Sequence, residues 1–270
     1  MFLFLPYHVD VPMQRIPWAN WVLIAVTSLV SLAGIGANWE FGSDAWMWKW
    51  CLHRENFRLY QLLTFQLVHA DVVHLFLNMY FLFLFGNAVN AKIGHARFLS
   101  LYFALGAFTG LVWAVTDSAD MLLGASGAVC VITGMFLILY PFNEVAVFYG
   151  WYVLRTGDMG VMYMSSIWLI LAYIVYDLTG CFLWSHEPIA YISHLTGYFL
   201  GIAAAVALLL GGWIKPAEGE ETLLQYLNIH GPAAKQRRRK KKRSLIRRQP
   251  GSEELTEQHS PGTSWTDWNR

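Results

Sequence analysis

Charge is what this sequence has least of. Only 14% of its 270 residues are charged, against 56% hydrophobic and 16% aromatic, where a soluble domain carries about 25% charged residues. A water-facing surface is hard to build from that supply, so the composition points to lipid. The charge present is also badly mixed. Ten of the nineteen Lys and Arg residues lie between Lys235 and Arg248, a segregation that the formal net charge of +1 hides. Cysteine is scarce as well. Cys51, Cys130 and Cys181 make neither an even disulfide framework nor a C-x-x-C metal knuckle. Two of them sit in apolar runs, where a thiol packs as a small hydrophobe, and all three are read as structural. The opening Met1-Phe2-Leu3-Phe4-Leu5-Pro6 is too short for a signal peptide and lacks its basic lead, so the first membrane span is expected to serve as an uncleaved signal.

What the sequence has in quantity is spanning length. An apolar helix needs about 20 residues to cross the hydrocarbon core. Six stretches meet that test: Trp18–Gly36, Val72–Val89, Ala96–Val115, Met121–Tyr140, Val161–Trp184 and Ala190–Trp213. The fold class expected is therefore all-α, a polytopic bundle of six transmembrane helices over residues 1–213, followed by a basic tail over 214–270. Lys and Arg in short loops set orientation. Arg15, Lys92, Arg97, Arg155 and the tail fall on one side, and the loops Thr116–Asp120 and Ser185–Pro188 carry no Lys or Arg; the first outer loop is the exception, where Lys49, Arg54 and Arg58 oppose Glu40, Asp44 and Glu55. Both termini are expected inside.

Two loops stand apart. Ala45-Trp46-Met47-Trp48-Lys49-Trp50 holds three indoles in five residues. Trp favours the membrane interface, and the segment reads either as a loop lying in the outer leaflet or as an ordinary aromatic belt. Pro141–Gly160 mixes apolar and polar residues between Pro141, Gly150 and Gly157, and reads as a loop resting on the inner surface. Beyond Trp213, Glu218, Glu220 and Glu221 precede a short helix candidate and then Gln236-Arg237-Arg238-Arg239-Lys240-Lys241-Lys242-Arg243. That composition reads as disordered. A polybasic run beside a span is drawn to anionic lipid, and no nucleic-acid partner is expected of a chain held in a membrane.

Polar groups inside apolar spans are costly, so each invites a functional reading. Gly124-Ala125-Ser126-Gly127-Ala128 opens span four. Its glycines leave a serine hydroxyl unshielded, or serve only as a small-residue helix contact. His194 lies early in span six, one turn before Gly197, with Gly201 continuing the small-residue stripe. Span four offers a matching stripe in Gly127 and Gly134. If the stripes meet, Ser126 and His194 lie at similar depth, within the reach that a nucleophile and its base require; otherwise His194 is a structural histidine. His74 and Asn78, four residues apart, share one helix face. Both can donate hydrogen bonds, which suits a developing oxyanion in a dry site. His69 lies five residues before His74, a poor spacing for two ligands on one face, and no H-E-x-x-H pattern completes a metal site.

Together these clusters resemble the rhomboid protease family, in the family's order. His69, His74 and Asn78 match H-x-x-x-x-H-x-x-x-N; Gly124, Ser126 and Gly127 match G-x-S-G; His194, Gly197 and Gly201 match H-x-x-G-x-x-x-G. The resemblance spans roughly Trp18 to Trp213. It implies a Ser126–His194 dyad, an oxyanion hole of the Ser126 N–H, His74 and Asn78, and packing glycines at Gly124, Gly127, Gly134, Gly197 and Gly201. It implies no cofactor and no metal. The substrates implied are single-span membrane proteins, and the setting is a plasma (inner) membrane with both termini cytoplasmic. Asp177 is a further intramembrane carboxylate; the family has no third triad member, so it reads as a structural or interfacial partner. The chain departs from the family where Tyr60-Gln61 replaces a common Trp-Arg pair, and where Asn90 follows Gly86-Asn87-Ala88-Val89 in place of a common Glu. Both are scaffold positions. Two other classes compete with the protease: an inactive rhomboid-like protein that binds membrane clients, and a transporter lined by His74, Asn78, His194 and Asp177. The transporter class usually shows duplicated halves with paired broken helices, a pattern this sequence lacks.

Overall fold

A computed structural model describes residues 2–41, 45–116, 119–153, 156–183, 190–217 and 219–229. The basic run from Lys235 to Arg248, Arg155 and the loop Ser185–Pro188 lie outside those residues. The chain opens with strand β1 (Phe2–Val9) and continues into helix α1 (Trp18–Phe41), whose Trp18–Gly36 portion is apolar enough to span a bilayer. Helix α2 (Ala45–Trp50), strand β2 (Leu52–His53) and helix α3 (Gln61–Thr64) fill the segment before the second span.

The second span, Val72–Ile93, is two helices joined by a π turn. Helix α4 (Val72–Phe81) begins where Asp71, in an extended conformation, accepts the His74 N–H at 2.8 Å, satisfying one of the donors a helix start leaves open. The π turn Leu82–Gly86 leads into α5 (Asn87–Ile93). Asn20 of α1 donates both to the Leu82 carbonyl and to Asn87 Oδ1, each at 2.9 Å. A Cβ on Gly86 would meet that Asn20 amide at 2.8 Å. Asn90 accepts the Asn20 N–H at 3.3 Å and approaches His95, so where the family often has Glu this chain ties α1 to α5 with neutral amides.

Helix α6 (His95–Thr116) is the third span, and strand β3 (Met121–Leu122) pairs antiparallel with β2. Helix α7 (Ser126–Leu139) follows. Its 14 residues cover about 21 Å at 1.5 Å per residue, against a hydrocarbon core of about 30 Å. The expected span Met121–Tyr140 is therefore too long at its start: Met121 and Leu122 are strand, and the helix begins at Ser126. A short helix survives in lipid only if protein surrounds it. Every residue from Gly127 to Leu139 is buried, with α5, α6, α8 and α9 packed around. Helices α8 (Ser166–Leu183) and α9 (Tyr191–Leu210) complete the bundle. Among the described residues five helices are thus long and apolar enough to cross, and α7 is the buried axis between them.

The segment read as a loop between α7 and α8 is instead a hairpin, β4 (Glu144–Val153) and β5 (Thr156–Ser165), with β1 paired antiparallel to β4. Val145 and Val147 on β4 are fully buried against the bundle. Pro6 is tolerated because β1 is an edge strand, and the register shifts between Pro6 and His8. Gly160 is no breaker: an added Cβ there would press on the Tyr149 ring at about 3 Å, so the aromatic uses the space.

This sheet lies at the end of the bundle away from Ser126, and residues 214–229 fold back there too. Thr222 and Gln225 form a capping box at the start of α10 (Leu223–Tyr226), Leu224 joins the core, and Tyr226 meets Phe142 with ring centroids 4.9 Å apart. Lys92 and Glu220 pair with side chains 1% and 4% exposed. Removing one member of a buried pair leaves the other charge uncompensated and costs about 3–5 kcal/mol. Lys92→Met is expected to lower thermal stability in detergent by that order, and Lys92→Met with Glu220→Leu to recover most of it.

Candidate active site

The site residues converge at the other end, where α4, α7 and α9 begin. Gly124 has φ +115°, a region that L side chains rarely adopt. A Cβ there would also meet His74 Cε1 at 2.8 Å and Nε2 at 2.9 Å. Its N–H donates to the Phe65 carbonyl at 2.9 Å. Glycine at 124 thus lets the turn into α7 close over the His74 ring. Ser126 is the first helical residue, so its N–H is among those that a helix start leaves without an intrahelical acceptor, at the positive end of the helix dipole.

His69 anchors the residue before. Its Nε2 accepts the Ala125 N–H at 3.2 Å, and Nδ1 lies 2.9 Å from Ser31 Oγ. With Nε2 accepting, the ring proton sits on Nδ1 and goes to Ser31, whose own hydrogen goes to the Leu67 carbonyl at 2.9 Å. Burial first, and then the neighbouring His74, push His69 down to about 3 against the opposing pull of Asp71, so the neutral ring keeps this geometry at ordinary pH. The His69 and His74 rings meet edge to face at 5.0 Å. Asn78 is buried and spends one amide hydrogen on the His74 carbonyl at 3.0 Å; its second remains to face a ligand.

Helices α7 and α9 touch backbone to backbone. A Cβ on Gly197 would run into the Gly127 carbonyl, one on Gly201 into the Val131 carbonyl, and one on Gly134 into the Tyr198 carbonyl. Because 127 pairs with 197 and 131 with 201, the two helices run in the same direction. One turn after Ser126 is Cys130; a Cβ on Gly197 would meet its Cβ at 2.8 Å, and its sulfur lies within 4.8 Å of a His194 ring nitrogen. Ser126 and His194 therefore face across the same helix pair, one turn nearer its start. Among the described residues no hydrogen bond joins Ser126 to His194, and such bonds often tighten only when substrate is bound.

Asp177 of α8 is the residue whose place the sequence did not foretell. Its Oδ1 lies 3.1 Å from His194 Nδ1, and its side chain is 7% exposed. Donor atoms of Cys130, Asp177 and His194 all fall within 4.8 Å of one another, a set that a divalent ion could use although none was expected. Asp177 and His194 are already partnered to each other.

The preceding segment is held by small contacts. Thr64 donates to the Trp50 carbonyl at 2.8 Å and Tyr60 to the Lys49 carbonyl at 3.0 Å, while Gln61 accepts the Arg58 N–H at 2.9 Å. Tyr60, at the first position of the missing Trp-Arg pair, thus still pins the Trp-rich helix together with Thr64, while Gln61 closes the turn at Arg58. Cys51 beside it is buried, and burial pushes its thiol up to about 12, so it stays protonated.

Residues 56–211, more than half of the chain, match the family model of the Rhomboid domain. The chain belongs to the rhomboid family. With its apolar helices, this rhomboid is an integral, multi-pass membrane protein. It is similar to YdcA of Bacillus subtilis, named as a rhomboid protease, at 35% identity over 86 residues, 32% of this chain and 43% of that one. It is similar to RHOMBOID-like protein 12, mitochondrial, of Arabidopsis thaliana at 28% identity, covering 47% of this chain and 46% of the relative. Rhomboid-like protease 1 of Toxoplasma gondii is 27% identical, covering 54% of this chain and 46% of the relative. The chain spans about half the length of the curated relatives it matches.

Proposed function

We propose that this rhomboid is an intramembrane serine endopeptidase working through Ser126 and His194. The observation that carries the reading is the parallel α7–α9 backbone contact, with Ser126 and His194 both near the start of that helix pair. Ser126 Oγ bonds to the carbonyl carbon of a substrate peptide as its proton moves to His194 Nε2. The oxyanion that forms meets the Ser126 N–H, His74 and Asn78, donors preorganised in a dry site. Collapse breaks the C–N bond, and His194 returns its proton to the departing amine. Water, deprotonated by the same nitrogen, then releases the acyl group.

The substrates proposed are single-span membrane proteins, cut near the outer face where a helix unwinds, since a hydrogen-bonded helix hides its carbonyls. The membrane domain, residues 1–213, performs this in a plasma membrane with both termini inside. Arg15 beside Gly94, the Lys92–Glu220 pair and Arg97 bonded to the Trp213 carbonyl gather at the end away from Ser126, which supports that orientation. The tail from 214 onward brings the polybasic run to anionic lipid, each charge contributing about 1 kcal/mol near the surface.

A fluorophosphonate probe, which reacts with activated serines, tests the reading. It is expected to label the full chain in proteoliposomes, with or without a chelator, and to lose the label in His194→Ala. Label that persists in His194→Ala removes the proposed base. An unlabelled wild type that also leaves single-span substrates uncut makes this chain a client-binding member of its family.

A further inference from the structure

We propose that Asp177 is a positioning residue for His194, so that the site works as three groups in line rather than two. The inference rests on the protease reading and adds to it how the base is held. A carboxylate inside a spanning helix is expensive unless partnered. Asp177 is partnered by the His194 Nδ1 at 3.1 Å, with its side chain 7% exposed.

The donor and acceptor chemistry then has one consistent solution. A carboxylate oxygen accepts, so Nδ1 carries the imidazole proton and Nε2 keeps its lone pair. The buried carboxylate holds the ring against rotation. When Ser126 gives its proton to Nε2, the ring becomes an imidazolium whose charge faces Asp177 in a water-poor site, where such interactions are strong. No proton passes to the carboxylate, and no further reactant is needed.

Asp177→Asn keeps the volume and reverses the roles, since an amide N–H can face Nδ1 and drive the ring proton to Nε2. With the full chain in proteoliposomes and a single-span substrate, kcat is expected to fall by about 10²- to 10⁴-fold while KM stays within twofold. In ¹⁵N-histidine spectra the His194 Nδ1–H signal is expected to disappear in Asp177→Asn and remain in wild type. Asp177→Glu, which keeps a carboxylate acceptor for Nδ1, is expected to retain the Nδ1–H signal and most of the kcat, and reads the same contact if the Asn variant fails to fold. An unchanged kcat in Asp177→Asn overturns the proposal, as does an Nδ1–H signal indifferent to Asp177. If wild type cuts nothing, the protease reading fails, while the spectra still report whether Asp177 sets the tautomer.

Discussion

Ser126→Ala is expected to lower turnover of a single-span substrate by about five to six orders of magnitude, the loss seen when a serine nucleophile is removed from a hydrolase. The substitution should be nearly silent in the fold. Position 126 opens α7, where alanine has at least as high a helix propensity as serine, and the backbone N–H of the oxyanion hole survives the change. What remains is the about 10³-fold advantage over water that binding and oxyanion donors alone can give. Cys130, a turn deeper, is the neighbouring nucleophile nearest His194, its sulfur within 4.8 Å of a ring nitrogen; Ser193 is 1% exposed with its Oγ packed beside Gly127. Turnover in proteoliposomes, measured with the unfolding temperature, separates chemistry from stability. An Ser126→Ala protein that retains more than a hundredth of wild-type turnover would mean another nucleophile.

Much of the bundle is readable from hydropathy because lipid is a demanding solvent. A run such as Trp18–Gly36 has few alternatives to a spanning helix. The hairpin β4–β5 was hidden for the opposite reason: its residues answer to the protein and not to lipid. Val145 and Val147 are buried against the bundle while Gly150 and Gly160 sit opposite bulky partners, and the pairing with β1 joins residues as far apart in sequence as Phe2 and Trp151. No local pattern announces such a contact. The length of α7 was misjudged because Met121 and Leu122 are apolar enough for a helix, yet pair with His53 and Leu52. At the site, His74, Asn78, Ser126 and His194 could be singled out as polar residues in apolar runs. Asp177 carried the same signal, but its partner depended on how α8 turns toward α9. Cys130 carries a readable signal: it lies four residues after Ser126, on the same face, and its sulfur comes within 4.8 Å of His194.

Gly201→Leu is expected to abolish both activity and assembly, whereas Gly36→Leu should leave both intact. The two glycines have the same intrinsic helix propensity, so the contrast isolates packing. Around Gly36 nothing lies within 4 Å. At Gly201 even a methyl group would run into the Val131 carbonyl, with the Val131 carbonyl carbon at 2.8 Å and the Met135 nitrogen at 3.0 Å. These are backbone atoms of α7 and cannot rotate away, unlike the flexible side chains whose repacking usually limits such costs to about 1–3 kcal/mol. The helices must part, and α7 has all of its residues from Gly127 onward committed to neighbours. Gly201→Ala grades the effect. It sits two turns from His194 on the same face of α9, so a small parting is carried to the base, and a displacement of about 1 Å costs about 10²-fold in rate. Cleavage assays and detergent-melting of both variants decide the matter. A Gly201→Ala protein with wild-type turnover would mean that α7 and α9 can separate without disturbing the reacting pair.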